Sequence, residues 1–255
     1  MNREVLYQTE NRAAYLTINR QERRNSISPR VVDLLNEYLD RAESDENIRA
    51  VCITGSGDRA FCSGADLGGG APDSAKSPEQ AYADLLKRIA GFPKPTVARV
   101  NGYCLAGGMG FMLACDIVVA AATASFGTPE VNVGLWPMMI GALIFRNVLA
   151  KPAMEMILLG EKLSAQKALE MGLITRLADP GRLDAEVGEI LESLGKKSPV
   201  GMKIGKQAFY KMRNMPFDQA LDYLAEQIKE VSSTQDAKEG ITAFMEKREP
   251  EFKGK

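Results

Sequence analysis

Asn101-Gly102-Tyr103-Cys104-Leu105-Ala106-Gly107-Gly108-Met109-Gly110 is the stretch on which the reading of the fold turns. Just before it, Thr96-Val97-Ala98-Arg99-Val100 is a short apolar run with β-branched residues, bounded by turn signals, which predicts a buried strand. After it, residues 106–115 are apolar and glycine-rich and predict a helix, and residues 116–121 (DIVVAA) return to strand character. Gly107 and Gly108 therefore fall at a helix N-terminus, where unpaired N–H groups meet the positive end of the helix dipole. Such glycines serve either close helix–sheet packing or the presentation of backbone donors to a ligand, and both readings stand at this point.

Outward from this segment the same alternation of elements continues. Val5-Leu6-Tyr7 and Ala14-Tyr15-Leu16-Thr17-Ile18 flank the polar break Glu10-Asn11-Arg12, which predicts a β-hairpin. Ser28-Pro29 opens a helix through about residue 42, with Val31, Val32, Leu34, Leu35 and Leu39 on its apolar face. Residues 49–54 (RAVCIT), ended by Gly55, read as another buried strand, and strand–helix–strand order makes the chain α/β. Residues 64–78 turn to Gly, Ala, Pro, Ser and Asp, with Gly68, Gly69 and Gly70 in succession, and read as a mobile loop ahead of a helix over about 79–91. Beyond Pro137 the pattern is mostly helical: about 138–150, 152–160, 164–171 with Ser164 as cap and Gly172 as stop, then four charged amphipathic segments. No internal repeat and no linker interrupts it.

Composition narrows the chemistry. The 255 residues include no histidine, which excludes Ser-His-Asp and Cys-His nucleophilic sites, HExxH metalloprotease sites and haem on a proximal histidine. Acid/base work is left to carboxylates, Tyr, Cys, Lys or backbone dipoles. With 32 Lys+Arg against 33 Asp+Glu, charge gives no general attraction to nucleic acid or an anionic membrane. No apolar run approaches the length of a membrane span and the N-terminal residues carry no apolar signal core, so neither spanning nor secretion is expected. Cys52, Cys62, Cys104 and Cys115 form no CxxC pair, and three of them sit in apolar stretches where buried reduced thiols are expected, in a cytoplasmic setting.

Three motifs carry candidate chemistry, and a fourth is set aside. Gly55-Ser56-Gly57-Asp58-Arg59-Ala60 matches GxGxxA after a strand, but residues 61–66 lack helical periodicity, so it reads as a turn rather than a dinucleotide fingerprint. In Phe61-Cys62-Ser63-Gly64-Ala65-Asp66-Leu67, Gly64 allows the backbone beside Ala65 to turn an N–H toward a ligand. Together with the Gly107-Gly108 element, two such donors would make an oxyanion hole. In Ser125-Phe126-Gly127-Thr128-Pro129-Glu130-Val131-Asn132-Val133-Gly134-Leu135, Glu130 sits among apolar and small residues, where desolvation raises a carboxyl toward the range of a neutral-pH base. Taken alone, Glu130 reads equally as a helix-start residue or a surface acid.

Taken in order, FCSGADL, NGYCLAGGMGFMLACD and SFGTPEVNVGL resemble the enoyl-CoA hydratase/isomerase (crotonase) family, with support from NRQERRNSIS, SPVGMKIGK and EGITAFMEKREPEFKG. The resemblance covers essentially the whole chain. It implies a ClpP/crotonase-like α/β spiral of ββα units over residues 1–195 and a C-terminal helical trimerisation region over 196–255, in a homotrimer or dimer of trimers. It implies an acyl-CoA thioester as substrate, with coenzyme A as part of that substrate, and no metal or other cofactor. The thioester oxygen would be held by the amides of Ala65 and Gly107, with Glu130 as acid/base. Substrate-binding positions would fall on Arg24, Ser26, Ala65, Asp66, Leu67, Gly108, Gly110, Trp136, Phe244 and Lys247, the last two from a neighbouring subunit.

The hydratase pattern has a second glutamate, which falls here on Gly110. Moving a double bond needs one base, whereas hydration is shared comfortably by two. Isomerisation and hydration of an enoyl-CoA therefore stand as the leading pair. Trp136-Pro137-Met138-Met139 replaces a glycine-rich turn, which implies a bulkier acyl pocket unless these side chains are core. A non-catalytic acyl-CoA-binding or RNA-binding member is the alternative, and a peptidase on the related ClpP-like fold is excluded by the missing histidine.

Overall fold

The computed structural model of the chain describes residues 3–66 and 76–255. Leu67, the three successive glycines and most of the expected loop lie outside the described residues. The predicted hairpin is present: Val5–Glu10 (β1) and Ala13–Ile18 (β2) pair antiparallel, with Val5 opposite Ile18 and Glu10 opposite Ala13. The first helix, Pro29–Ser44 (α1), starts where Ser28 Oγ accepts the Val31 N–H at 3.1 Å and Pro29 sets the first turn. Its buried stripe of Val31, Leu34, Leu35, Tyr38 and Leu39 faces the core.

Three successive units then repeat one plan. Ala50–Gly55 (β3), Ala60–Cys62 (β4) and Pro78–Ala90 (α2) form the first. Thr96–Val100 (β5), Tyr103–Leu105 (β6) and Gly107–Ala114 (α3) form the second. Ile117–Ala121 (β7), Ser125–Gly127 (β8), a 3-10 turn at Pro129–Val133 and Met138–Asn147 (α4) form the third. The chain continues through Ala150–Leu159 (α5), Leu163–Ser164 (β9), Ala165–Glu170 (α6), Arg176–Ala178 (β10) and Leu183–Gly195 (α7). It ends in Pro199–Met212 (α8), Phe217–Ser233 (α9) and Gln235–Glu246 (α10).

Each unit gives its first strand to a six-stranded sheet, ordered β1-β2-β3-β5-β7-β10, and its second to a four-stranded sheet, ordered β4-β6-β8-β9. Within both, the strands of successive units pair parallel, so the chain advances by one strand in each sheet per turn of a spiral. The sequence reading missed all of the second sheet. Its strands have only two or three residues, too few to display the period-two alternation that marks a strand. They exist because the preceding turn of the spiral offers an edge to pair with.

The helix of the second unit, α3, lies inside the molecule: Met109, Phe111 and Met112 are fully buried, and the segment is apolar on all sides, as a core helix must be. All four cysteines are free and buried, one more than expected, and burial pushes the Cys52 and Cys62 thiols up to about 12, which makes them poor nucleophiles. On the far side of the large sheet, Asp116 joins sheet to helix: it accepts from the Thr96 N–H and from Lys206 Nζ of α8, both at 2.7 Å. Among the described residues no helix is long and apolar enough to cross a membrane.

Candidate active site

The second sheet brings the three motifs together. Strand β6 pairs with β4 on one side and β8 on the other, so the loops that leave these strands, at Gly64, Ala106 and Gly127, emerge side by side. The Ala106 N–H donates to the Gly127 carbonyl at 3.0 Å, which holds the third loop against the start of α3. Glu130 follows Gly127 by three residues, in the 3-10 turn.

Ala65 is exposed and forms one parallel bridge with Ile27. The bonds of that bridge run from the Ile27 N–H to the Gly64 carbonyl (2.8 Å) and from the Asp66 N–H to the Ile27 carbonyl (2.9 Å). In a parallel pair the intervening residue directs its own N–H the other way, so the Ala65 donor faces away from Ile27. Gly107 is the first residue of α3, and its N–H is one of those that a helix leaves without an internal partner. The two loops touch: a Cβ on Gly64 would stand 2.7 Å from Ala106 Cβ and 3.3 Å from the Gly107 nitrogen. Gly64 also has φ +97°, so glycine is required there on two grounds. Ala106 itself sits at φ 49°, ψ −131°, a conformation costly for a residue with a Cβ, at the point where the chain turns to present the Gly107 amide.

Glu130 is partly withdrawn from water. Burial raises its carboxyl above the usual range, and its Oε2 is buried without a hydrogen-bond partner among the described residues. Of the two readings the sequence left for it beside a catalytic one, a fully solvated surface acid does not describe this carboxyl.

The remaining expected positions divide. Gly108 is buried with its α-carbon against the Cys62 carbonyl, with which a Cβ would collide, so close packing accounts for this glycine while its neighbour Gly107 offers the donor. Gly110 is buried and faces Tyr82. Asp66 and Ser26 lie beside the Ala65 loop, both bound by one side chain the sequence reading did not name. Arg20 donates from Nη2 to Asp66 Oδ2 at 2.7 Å and from Nη1 to the Ser26 carbonyl and Oγ at 2.8 and 3.0 Å. Arg24 is exposed, and its carbonyl accepts the Ser63 N–H at 3.2 Å. Trp136 and Met138 are 44% and 70% exposed, so they are not core side chains, whereas Met139 packs partly against the core. Phe244 and Lys247 lie at the end of α10, both exposed, and Leu67 is outside the described residues. Among the described residues no three His, Cys, Asp or Glu side chains gather as a metal-binding group.

Residues 8–255 match the family model described as Enoyl-CoA hydratase/isomerase. The chain belongs to the enoyl-CoA hydratase/isomerase family. Among its relatives, the 1,2-epoxyphenylacetyl-CoA isomerase of Escherichia coli (strain K12) is 34% identical, over 98% of both chains. The 2,3-dehydroadipyl-CoA hydratase of the same organism is 33% identical over 99% of both. The crystal structure of an enoyl-CoA hydratase from Bacillus anthracis matches with a TM-score of 0.91 and 29% identity, over 99% of this chain and 100% of that one. The spiral of ββα units is thus the crotonase fold, and the protein is an acyl-CoA enzyme of the enoyl-CoA hydratase/isomerase type. Its relatives carry names of both hydratases and isomerases, so membership of the family leaves the direction of the chemistry to the site itself.

Proposed function

We propose that this enzyme moves a proton at C2 of an enoyl-CoA thioester, with Glu130 as its acid/base and the Ala65 and Gly107 amides as the oxyanion donors, and that isomerisation of a 3-enoyl-CoA to the 2-enoyl-CoA is the reaction the geometry supports best. The observation that carries the reading is the desolvated carboxylate of Glu130, whose Oε2 is unpaired among the described residues, three residues beyond the Gly127 carbonyl that holds the start of α3. With the thioester oxygen between the two N–H groups, removal of the C2 proton by Glu130 sends the electron pair through the carbonyl onto that oxygen. Each donor contributes on the order of 3 kcal/mol of stabilisation to the developing charge. Glu130 then returns the proton at C4, the double bond moves from 3,4 to 2,3, and the enzyme is back in its starting state. None of these steps calls for a cofactor beyond the coenzyme A of the substrate.

Arg24 and Asp66 belong to the coenzyme side of this proposed site, with Gly110 and the exposed Trp136 on the acyl side. Phe244 and Lys247 reach a coenzyme only from a neighbouring subunit, which ties the reading to a homotrimer, or a dimer of trimers, built on the helices of residues 196–255 around a core of residues 1–195. Four buried free thiols support a reducing, cytoplasmic setting. Incubation with 3-hexenoyl-CoA and, separately, crotonyl-CoA tests the reaction, with 2-enoyl-CoA and 3-hydroxyacyl-CoA followed as products. Conversion of the 3-enoyl-CoA is expected, and turnover of neither thioester, with coenzyme A still bound, would favour a binding protein.

A further inference from the structure

Arg20 stands outside the three motifs, yet it touches both chain segments that frame the Ala65 donor. Its side chain and that of Asp66 are each 11% exposed, with Nη2 donating to Asp66 Oδ2 at 2.7 Å. From the other arm, Nη1 donates to the Ser26 carbonyl at 2.8 Å and to Ser26 Oγ at 3.0 Å. Glu4 Oε2 lies 3.4 Å from Nε and also accepts the Ser28 hydroxyl, at the start of α1. The Arg20 N–H donates to Asn25 Oδ1 at 3.0 Å and the Arg20 carbonyl accepts the Asn25 N–H at 2.9 Å, so the residue is fixed at backbone and side chain alike.

The two arms fall on the two ends of one bridge. The Ser26–Ile27 peptide presents its carbonyl to Arg20 and its N–H to the Gly64 carbonyl, while Asp66 gives its carboxylate to Arg20 and its N–H to the Ile27 carbonyl. Ala65 lies between those two bonds, with its own N–H turned away from Ile27. Ile27 also reaches the second donor: a Cβ on Gly107 would stand 3.0 Å from Ile27 Cδ1. Gly107 has a further brace of its own, the Tyr82 hydroxyl, which donates to its carbonyl at 2.5 Å. The segment that Arg20 holds is thus a wall common to both amides.

We propose that Arg20 is a positioning residue for the oxyanion donors: its two-armed guanidinium ties the Ser26–Ile27 peptide to Asp66 and so sets where the Ala65 N–H points. The proposal rests on the assignment of Ala65 and Gly107 as those donors. A planar fork suits the place, because one rigid group binds a main-chain carbonyl with one arm and a carboxylate with the other. A lysine carries the charge but no such fork. Both ionised side chains are nearly withdrawn from water, so salt screens the pair less than it would a surface pair, and solvent does not replace a lost partner. A displaced donor is missed most when the thioester oxygen carries its full charge, so the effect falls on enolate formation more than on binding.

The test reads the donors without turnover. Acetoacetyl-CoA gives up a C2 proton to a base, the electron pair spreads onto its oxygens, and the enolate is followed by its ultraviolet absorption as pH is varied. The wild type is expected to favour the bound enolate over the free one. Arg20→Met should lessen that preference about tenfold, with the Kd of coenzyme A within about twofold. Arg20→Lys should stay close to Arg20→Met, and adding Asp66→Asn to Arg20→Met should change little, because both remove the same tie. An Arg20→Met enzyme with the wild-type enolate preference, or a full rescue by Arg20→Lys, overturns the proposal. So does weaker binding of coenzyme A at an unchanged enolate preference, which would make Arg20 a coenzyme ligand. If Arg20→Met does not fold, Asp66→Asn alone carries the same expectation and the same refutation. A wild type with no preference for the bound enolate overturns the assignment of the two donors, and the proposal with it.

Discussion

At the residue scale the proposed chemistry rests on one ionisable group. Glu130 is partly buried in the 3-10 turn, and its Oε2 has no partner among the described residues. A general base of this kind contributes about 10²–10⁴-fold, so Glu130→Gln is expected to lower kcat by that much. The wild-type activity should also fall on acidification with a midpoint above the ordinary glutamate value of about 4.3, because the ionised form is the base and burial raises its pKa. The same shift has a cost in stability with a defined sign. A carboxyl whose folded pKa exceeds its unfolded one binds its proton more tightly in the folded state. Ionised Glu130 therefore destabilises the protein, fully above the raised value and not at all below the unfolded one. Glu130→Gln should be more stable than wild type to urea at pH 7, with the difference shrinking toward pH 4. A variant equally active, or less stable at pH 7 only, would remove the carboxylate from the centre of the chemistry.

At the element scale the glycines of two neighbouring motifs carry different duties, and substitution separates them. Gly108 lets α3 lie against β4: a methyl group there meets the Cys62 main-chain carbonyl, which no rotamer change relieves. Gly108→Ala is expected to cost about 2–3 kcal/mol in urea unfolding. Gly64 instead shapes the donor loop, at φ +97° and against Ala106 Cβ. Gly64→Ala should shift the Ala65 amide and lower kcat by about 10²-fold, the loss of one oxyanion donor. A Gly64→Ala enzyme within twofold of wild type would count against that donor. Both glycine motifs, Glu130 and the strands of the large sheet other than β10 were legible in the sequence because each is a local signal: a turn residue, a lone acid among apolar neighbours, a periodic run. Arg20 and Tyr82 were not, because their meaning is non-local. Arg20 finds Asp66 46 residues away, and Tyr82 finds the Gly107 carbonyl 25 residues away. In the sequence Tyr82 is only an apolar position on an amphipathic helix, and the short strands that create those meetings carry no pattern of their own.

At the scale of the whole molecule the C-terminal helices expose what a core helix would bury. Along α9, Phe217, Leu221 and Ile228 are 75%, 53% and 59% exposed, and Ala220 is the only residue of that helix that is buried. Their spacing of four and seven places them on one face, a stripe of the kind that soluble chains cover by association. Phe244 on α10 is exposed further still. These faces belong to the region proposed to trimerise, whereas Ala65, Gly107, Glu130 and Tyr82 all lie on the spiral. The proposal that Phe244 and Lys247 serve a neighbour's coenzyme makes assembly part of substrate binding rather than of catalysis. Light scattering of the wild-type chain should give three or six monomer masses. Leu221→Asp with Ile228→Asp should shift the species toward the monomer, because closing the interface would then bury two carboxylates without partners. In that variant KM for the acyl-CoA is expected to rise by about tenfold or more while turnover at saturation persists, because the proposed oxyanion donors and acid/base all come from one chain. An unchanged mass would place the contacts on another surface, and a collapse of kcat at unchanged KM would mean that the neighbour shapes the catalytic loops instead of holding the coenzyme.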